Sequence, residues 1–499
     1  ALYLTGDSNS KLVLEDSVFD NNEAAIGSTI YSEIIQTSIT NVYVLVATKV
    51  GFYLSKGQHT YSYVELYGTR SSSINTGGIS ALNVEKLEYT NGVITGFGYD
   101  VLTSSYSTAQ MTTALKIMSD ISDGSSIQLK NITFDNNHNY KGGAIYVTNV
   151  YTMEIEDSTF NNNQALEGGA IYYTSNEPTS TLTLKGSVTF NSNSAAEAGG
   201  AIKFTGRKYL VDSEATLTFN MNTAPYGPDQ AAYPVSLVKI TADEALQEEY
   251  KAYKDDPSNF RLLQSRNLAQ SIVSGDLLWP PLAFVLVDEF GKNVTTDYSS
   301  TLSVAITNVD NPSNISSYEG DNPFIAYKGF FILYPFKVYT YPCSTAQIEI
   351  KLTSFSPDKV GRSSSEFTTS VLTIQDTVQS SICGFGERIT ESLACYACPS
   401  GKYTLKFMST DDCMDCPDTG VCDGKGIFGP QVGYWRHSTL EHTVTECKNQ
   451  DACLGAQVDD EEVRSLATCP DGHLYNETFC LTGWCAYGYE GVLCSQCID

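Results

Sequence analysis

The first 342 of the 499 residues contain no cysteine, so that stretch is held neither by disulfides nor by thiolate-bound metal. Basic residues are scarce, 30 against 57 acidic, and the net charge of −27 excludes nucleic acid and anionic membrane surfaces as electrostatic partners. Histidine is almost absent, at five, and there is no Gly-x-Ser-x-Gly elbow, phosphate loop or His-Glu-x-x-His motif. Long apolar runs are missing as well. The longest, residues 277–287, is broken by Pro280 and Pro281 and is too short to span a bilayer. No initiating Met or apolar leader precedes Ala1, so any signal peptide is expected to have been removed or to lie upstream.

What is present is unevenly distributed. All 14 cysteines fall in the last third: Cys343, Cys383, Cys395, Cys398, Cys413, Cys416, Cys422, Cys447, Cys453, Cys469, Cys480, Cys485, Cys494 and Cys497. Thirteen of them lie in the 117 residues from Cys383 on, a density that reads as a disulfide scaffold. Cys395-x2-Cys398 and Cys413-x2-Cys416 come close to zinc-ribbon spacing, but the nine further cysteines favour an oxidised reading, and no metal is assigned. The pairing cannot be read from spacing. Cys343 is expected either to bridge toward the stapled region or to be a leftover thiol. Four sequons, at Asn131, Asn293, Asn314 and Asn476, fit passage through a secretory route.

A repeat organises the first half. Phenylalanine followed three residues later by asparagine occurs at Phe19 and Asn22, Phe134 and Asn137, Phe160 and Asn163, Phe190 and Asn193, and Phe219 and Asn222. The last four copies are spaced by 26, 30 and 29 residues, one coil of a solenoid each. Three copies continue into Gly-Gly-Ala-Ile, with the glycine pairs Gly142 and Gly143, Gly168 and Gly169, and Gly199 and Gly200. Alternating residues such as Ile127 and Leu129, Met153 and Ile155, or Leu182 and Leu184 predict strands with one buried face. The glycine pair is expected to supply a positive-φ corner, and stacked asparagines to form amide ladders. The fold class is therefore all-β, a right-handed parallel β-helix of the pectin-lyase-like kind. Residues 32–124 keep the alternation without the motif and are read as degenerate coils.

Phe-x-x-Asn followed by Gly-Gly-Ala-Ile resembles the repeat of the polymorphic outer-membrane protein family, and the resemblance implies surface exposure and adhesion rather than a reaction. It covers residues 1 to about 31 and 125–224. The first residues align with the middle of a later coil, so the solenoid is expected to open uncapped, while Pro225 and Pro228 are expected to close it.

Residues 1–234 are thus assigned to the solenoid and 235–275 to a connector compatible with a short helix over 242–255. Residues 276–380 show sandwich-like strand spacing, and the segment from Phe284 to Asp297 resembles Ig-like domains of surface proteins, a joint between the other parts. Residues 381–499 form the stapled region. There, Cys398-Pro-Ser-Gly-Lys-Tyr403 and Cys413-Met-Asp-Cys416 resemble ephrin-receptor-like modules. Gly433-Tyr-Trp-Arg436 and the segment from Gly488 to Cys497 resemble EGF-like stretches of large surface proteins in single-celled eukaryotes.

An enzyme of the β-helix class needs converging carboxylates or calcium ligands with a base. Asp135 and Asp157 fall at different corners, and Asp16 and Asn131 share the corner of Asp157. Lys130, Lys141 and Lys185 are scattered singly. The acidic residues Asp411, Asp412, Asp415, Asp418 and Asp423 read as a solvated loop rather than a calcium site. No catalytic residue and no cofactor is assigned. The expectation is an extracellular or cell-surface structural and adhesive glycoprotein, with glycans attached or bound and with head-to-tail self-association into filaments as its specific version. The alternatives are the ligand-binding ectodomain of an anchored receptor and a polysaccharide lyase or hydrolase.

Overall fold

A computed structural model describes residues 2–6, 9–22, 27–33, 36–46, 49–69, 76–98, 113–119, 124–175, 179–241, 271–278, 280–353, 373–384, 386–406, 408–422, 428–438, 441–456 and 483–497. The 242–255 segment, Asp423, Cys469, Cys480 and Asn476 lie outside the described residues. Within them the chain is nearly all β, without an α-helix.

Residues 2–231 wind into a parallel β-solenoid. From Leu2–Thr5 to Ser126–Asp135 successive strands enter alternate sheets, as a coil requires. One sheet has nine strands, from Leu2–Thr5 through Ile145–Thr148, Ile171–Ser175 and Ile202–Gly206 to Gln230–Ala231; the other has eleven. Every pairing between them is parallel. A third, three-stranded sheet of His138–Lys141, Gln164–Glu167 and Ser194–Ala198 is confined to the later coils. The shortest early coil is shorter than any of these: Thr37 pairs with His59 after only 22 residues, against 26 to 30 in the later coils.

The degenerate coils stay in register with the others. Phe19 pairs with Val44, Val44 with Leu66, Leu66 with Ile94 and Ile94 with Phe134, so one inward column runs through coils with and without the motif. Any apolar side chain of sufficient volume fills that slot, and Val44, Leu66, Ile94 and Phe134 are fully buried.

The chain leaves the solenoid through Pro234–Ile240, which pairs antiparallel with Leu282–Asp288. Together with Phe330–Leu333 these strands make one sheet, and Ser271–Ile272, Thr373–Ser380, Thr345–Leu352, Thr301–Asn308 and Phe324–Ile325 make a second. Leu302, Phe284, Leu286, Phe331, Ile348 and Ile350 fill the core shared by the two sheets.

This unit caps the solenoid rather than hinging on it. Ala198, Tyr226 and Ala231 of the last coils belong to the same core as Leu286 and Val294. The Tyr226 hydroxyl donates to Asp288 Oδ2 at 2.5 Å, while Asp288 Oδ1 accepts from the amides of Phe290 and Lys292. Phe290 packs on the solenoid core, edge-on to Phe204 with centroids 5.7 Å apart. The prolines contribute by what they lack. At this corner each coil's amides donate forward, as Ala201 does to the Pro228 carbonyl at 3.2 Å, and Pro228 has no amide left to point past the last coil.

Candidate functional site

The repeat residues build the three corners. Phe134, Phe160, Phe190 and Phe219 stack with centroids 4.9, 4.8 and 5.1 Å apart and nearly parallel rings. Beside them Asn137, Asn163 and Asn193 are completely buried, and Asn222 is nearly so. Each Oδ1 accepts from the backbone amide and the side-chain amide one coil earlier at 3.0–3.1 Å: Asn163 from Asn137, Asn193 from Asn163 and Asn222 from Asn193. Each Nδ2 also donates to a carbonyl in the phenylalanine column, as Asn163 does to Phe134 at 3.1 Å. Asn22 faces Val46 instead, so the ladder starts where Phe97 donates its amide to Asn137.

The two glycines of each pair serve different ends. Gly142, Gly168 and Gly199 sit at φ of +61°, +65° and +70°, which favours glycine. Gly143, Gly169 and Gly200 have ordinary φ, but a Cβ there would stand 2.1–2.3 Å from a backbone oxygen of the next coil. The sequence reading missed one such corner. Gly27 has φ +61°, and Ser28 and Thr29 replace the second Gly and Ala before Ile30. The Ser28 and Thr29 hydroxyls are buried without a hydrogen-bond partner among the described residues.

Outside the core, one column of the nine-stranded sheet is unusually aromatic. Pairing aligns Tyr3, Tyr31, Tyr53, Ser80, Lys116, Tyr146, Tyr172 and Lys203 on one outer line. Tyr3, Tyr31 and Tyr53 stack at 4.6 and 5.0 Å, and Tyr146 stacks on Tyr172 at 5.7 Å. Tyr3 is 71% exposed, whereas Tyr172 and Lys203 at the other end are buried. Because the rings cover one another's faces, the column shows solvent their edges and hydroxyls at the strand spacing of about 4.8 Å. Packing and the Glu33 carboxylate push the Tyr31 phenol above its usual range, so it remains a donor.

Carboxylates do not gather in this way. Asp135 lies at the phenylalanine corner, where its Oδ1 accepts from Asn162 at 3.0 Å. Asp157 lies at the opposite corner at φ +49°, in a column with Asp16, Asn41, Asn91 and Asn131. The lysines are not isolated charges as the sequence suggested. Lys130 pairs with Glu156 at 2.7 Å, Lys141 with Glu167 at 3.1 Å and Lys185 with Glu154 at 2.6 Å, each partner about one coil away. His59, which the sequence left without a role, points into the core, with Nδ1 2.8 Å from Thr37 Oγ1 and Nε2 2.7 Å from the Lys56 carbonyl. Nε2 must donate to that carbonyl, so Nδ1 accepts from the threonine. Burial pushes the ring's pKa down, and it is neutral.

In the stapled region the pairs are Cys383–Cys395, Cys398–Cys413, Cys416–Cys422, Cys447–Cys453 and Cys485–Cys494. The four cysteines with zinc-ribbon spacing are thereby divided among three disulfides. Cys343 is in none of the five; its amide faces the Ser381 carbonyl at 3.4 Å. Three of the acidic residues considered for calcium are each spent on a different cation: Asp411 on Lys406, Asp412 on Arg388 and Asp415 on Lys402. No group of three or more metal-capable side chains forms among the described residues. Arg436 is fully buried, donating to the carbonyls of Phe428 and Glu441 with its guanidinium over the Phe428 ring; burial lowers its pKa to about 10. No helix among the described residues is long and apolar enough to cross a membrane.

Three stretches, residues 131–148, 157–174 and 187–205, match the family model of the Chlamydia polymorphic membrane protein repeat. The solenoid carries polymorphic-membrane-protein-like repeats. Each matched stretch starts at or beside the outer corner, passes the phenylalanine and asparagine columns, turns at the glycine pair and ends in the nine-stranded sheet. The copies at Phe19 and Phe219 fall outside the matched stretches, although Phe219 stacks on Phe190. No curated protein and no solved structure matches the chain.

Proposed function

We propose that this chain is a non-enzymatic extracellular glycoprotein, a structural and adhesive rod that binds through the outer face of its nine-stranded sheet. The stacked column of Tyr3, Tyr31 and Tyr53 carries the reading, because three aromatic rings in successive coils lie on the outer face of the sheet instead of in the core. The polymorphic-membrane-protein-like repeats and the five disulfides support a surface location in an oxidising compartment. A column of hydroxyls and ring edges suits glycans or a neighbouring polar protein surface. The test is the full chain carrying Tyr31→Ser and Tyr53→Ser, assayed on a glycan array and on cells. A tenfold loss of retention with unchanged circular dichroism is expected, and undiminished binding refutes the reading.

A filament version rests on a separate observation. The inward residues Leu2, Leu4, Leu12, Leu14 and Phe19 are only partly buried, whereas Ile30, Ile39 and Val44 on the next coil are closed off. Such an edge accepts further coils of its own chain or another molecule. Negative-stain microscopy of native and of reduced, alkylated material separates these. Fibres with a subunit-sized repeat support head-to-tail assembly, and dispersed single rods refute it.

A further inference from the structure

Of the sequons, Asn131 and Asn314 stand in contrasting places. Asn131 Nδ2 donates to Asn91 Oδ1 at 2.8 Å, a rung on the outside of the solenoid. Asn314 borders an open groove of about 360 Å³ between the sandwich and the stapled region. One wall carries Ile315, 81% exposed, and Tyr341, 40% exposed; the other carries Glu391, Ser392 and Leu393. The two walls are fixed to each other. The Cys395 amide donates to the Ser274 carbonyl at 2.9 Å, and Gly275 lies so close to Ala394 that a Cβ on it would meet the alanine Cβ at 2.6 Å. An exposed aromatic and an exposed aliphatic side chain facing a carboxylate and a hydroxyl is the composition that holds a sugar ring. Apolar CH groups rest on the former, and hydroxyls and N–H groups bond to the latter.

We propose that Asn314 carries an N-linked glycan whose first N-acetylhexosamine lies in this groove and braces the stapled region against the sandwich. The inference rests on the extracellular reading above. In the modification, Asn314 Nδ2 displaces a lipid diphosphate from C1 of a lipid-linked oligosaccharide. The C1–N bond forms, the C1–O bond to phosphate breaks, the amide loses one proton, and nothing is oxidised or reduced. The transferase is the host cell's.

The experiment is glycopeptide mass spectrometry on the full chain secreted from a glycosylating host. Endoglycosidase release at Asn314 is then timed on native and on denatured protein, with Tyr341→Ala alongside. Occupancy at Asn314 is expected, with release at least tenfold slower from native than from denatured protein, and a difference that shrinks to about twofold in Tyr341→Ala. An occupied Asn293 with an unmodified Asn314 overturns this inference alone. Sequons unmodified throughout overturn the extracellular glycoprotein reading with it. Occupancy with equal release rates overturns the docking in the groove.

Discussion

Replacing Asn163 by alanine is the sharpest test of what holds the solenoid. The side chain makes four buried hydrogen bonds: Nδ2 donates to Phe134 O at 3.1 Å and to Asn193 Oδ1 at 3.0 Å, and Oδ1 accepts from Asn137 N at 3.1 Å and from Asn137 Nδ2 at 3.0 Å. Truncation takes this partner from the Asn137 amide, from one N–H of the Asn137 side chain and from the Phe134 carbonyl. At roughly 1–1.5 kcal/mol for each buried group deprived of its partner, the loss is about 3–5 kcal/mol. Because solenoid stability is a sum over neighbouring coils, a global melt blurs the effect, and native-state hydrogen exchange reads it where it occurs. Protection at the Asn137 amide should fall by about two to four orders of magnitude. The Asn193 amide, which donates to Asn222 Oδ1, should change far less. The control is Asn162→Gly: Asn162 is exposed at φ +54°, a conformation glycine adopts freely, so its cost should stay below about 1 kcal/mol. Equal losses in the two variants, or equal loss at Asn137 and Asn193 in Asn163→Ala, would refute the ladder as a stabilising element.

Three further outcomes follow from the same geometry. Gly169→Ala places a Cβ 2.1 Å from Gly200 O and 2.6 Å from Ser194 O, both backbone, so it should cost more than Gly124→Ala. There, open space leaves only the left-handed φ penalty of about 1–2 kcal/mol; urea midpoints of the two variants check the order. His59 is held neutral by burial, so the folded state binds fewer protons than the unfolded state below pH 6.5. Stability should therefore be fully present above that value and fall as pH drops, by at most about 1.4 kcal/mol per pH unit from this group. His59→Gln should flatten that slope in urea titrations across pH 5–7. Phe290→Ala removes half-buried cap area and should loosen Ile202–Gly206 by about 2 kcal/mol in hydrogen exchange, leaving Leu115–Met118 unchanged.

The coil itself was legible because its period is written into neighbouring residues: Phe134 and Asn137 repeat as Phe160 and Asn163, and the columns they predict are the columns observed. The corner at Gly27 escaped because Ser28 and Thr29 break the spelling while keeping the one positive-φ glycine. The division of labour within each glycine pair was equally hidden, since a collision with the next coil's carbonyl leaves no trace in local sequence. The ion pairs of Lys130, Lys141 and Lys185 read as lone charges for a related reason: their partners stand 26, 26 and 31 residues away, local in space only once the coil exists. The tyrosine column lost its pattern in the degenerate coils, where uneven loops hide that Tyr31 and Tyr53 share one line with Tyr3. Disulfide pairing and the groove at Asn314 depend on chain crossings that no spacing encodes.

The cap bears on the mechanical reading of the molecule. An interdomain joint needs a boundary with few contacts, yet here Tyr226, Asp288 and Phe290 bind the last coil and the sandwich into continuous cores. Lys203 reinforces this: it is buried at the junction, donates to the Ala232 carbonyl at 3.0 Å and lies over the Tyr226 ring, with burial pushing its pKa down. Bending there would separate this amine from the Tyr226 ring or the Ala232 carbonyl and would take the Tyr226 hydroxyl from Asp288, which opposes a hinge at this boundary. Under the adhesive reading proposed above, a junction without a hinge matters, because several weak contacts along the tyrosine column add only if the ligand meets them in a fixed geometry.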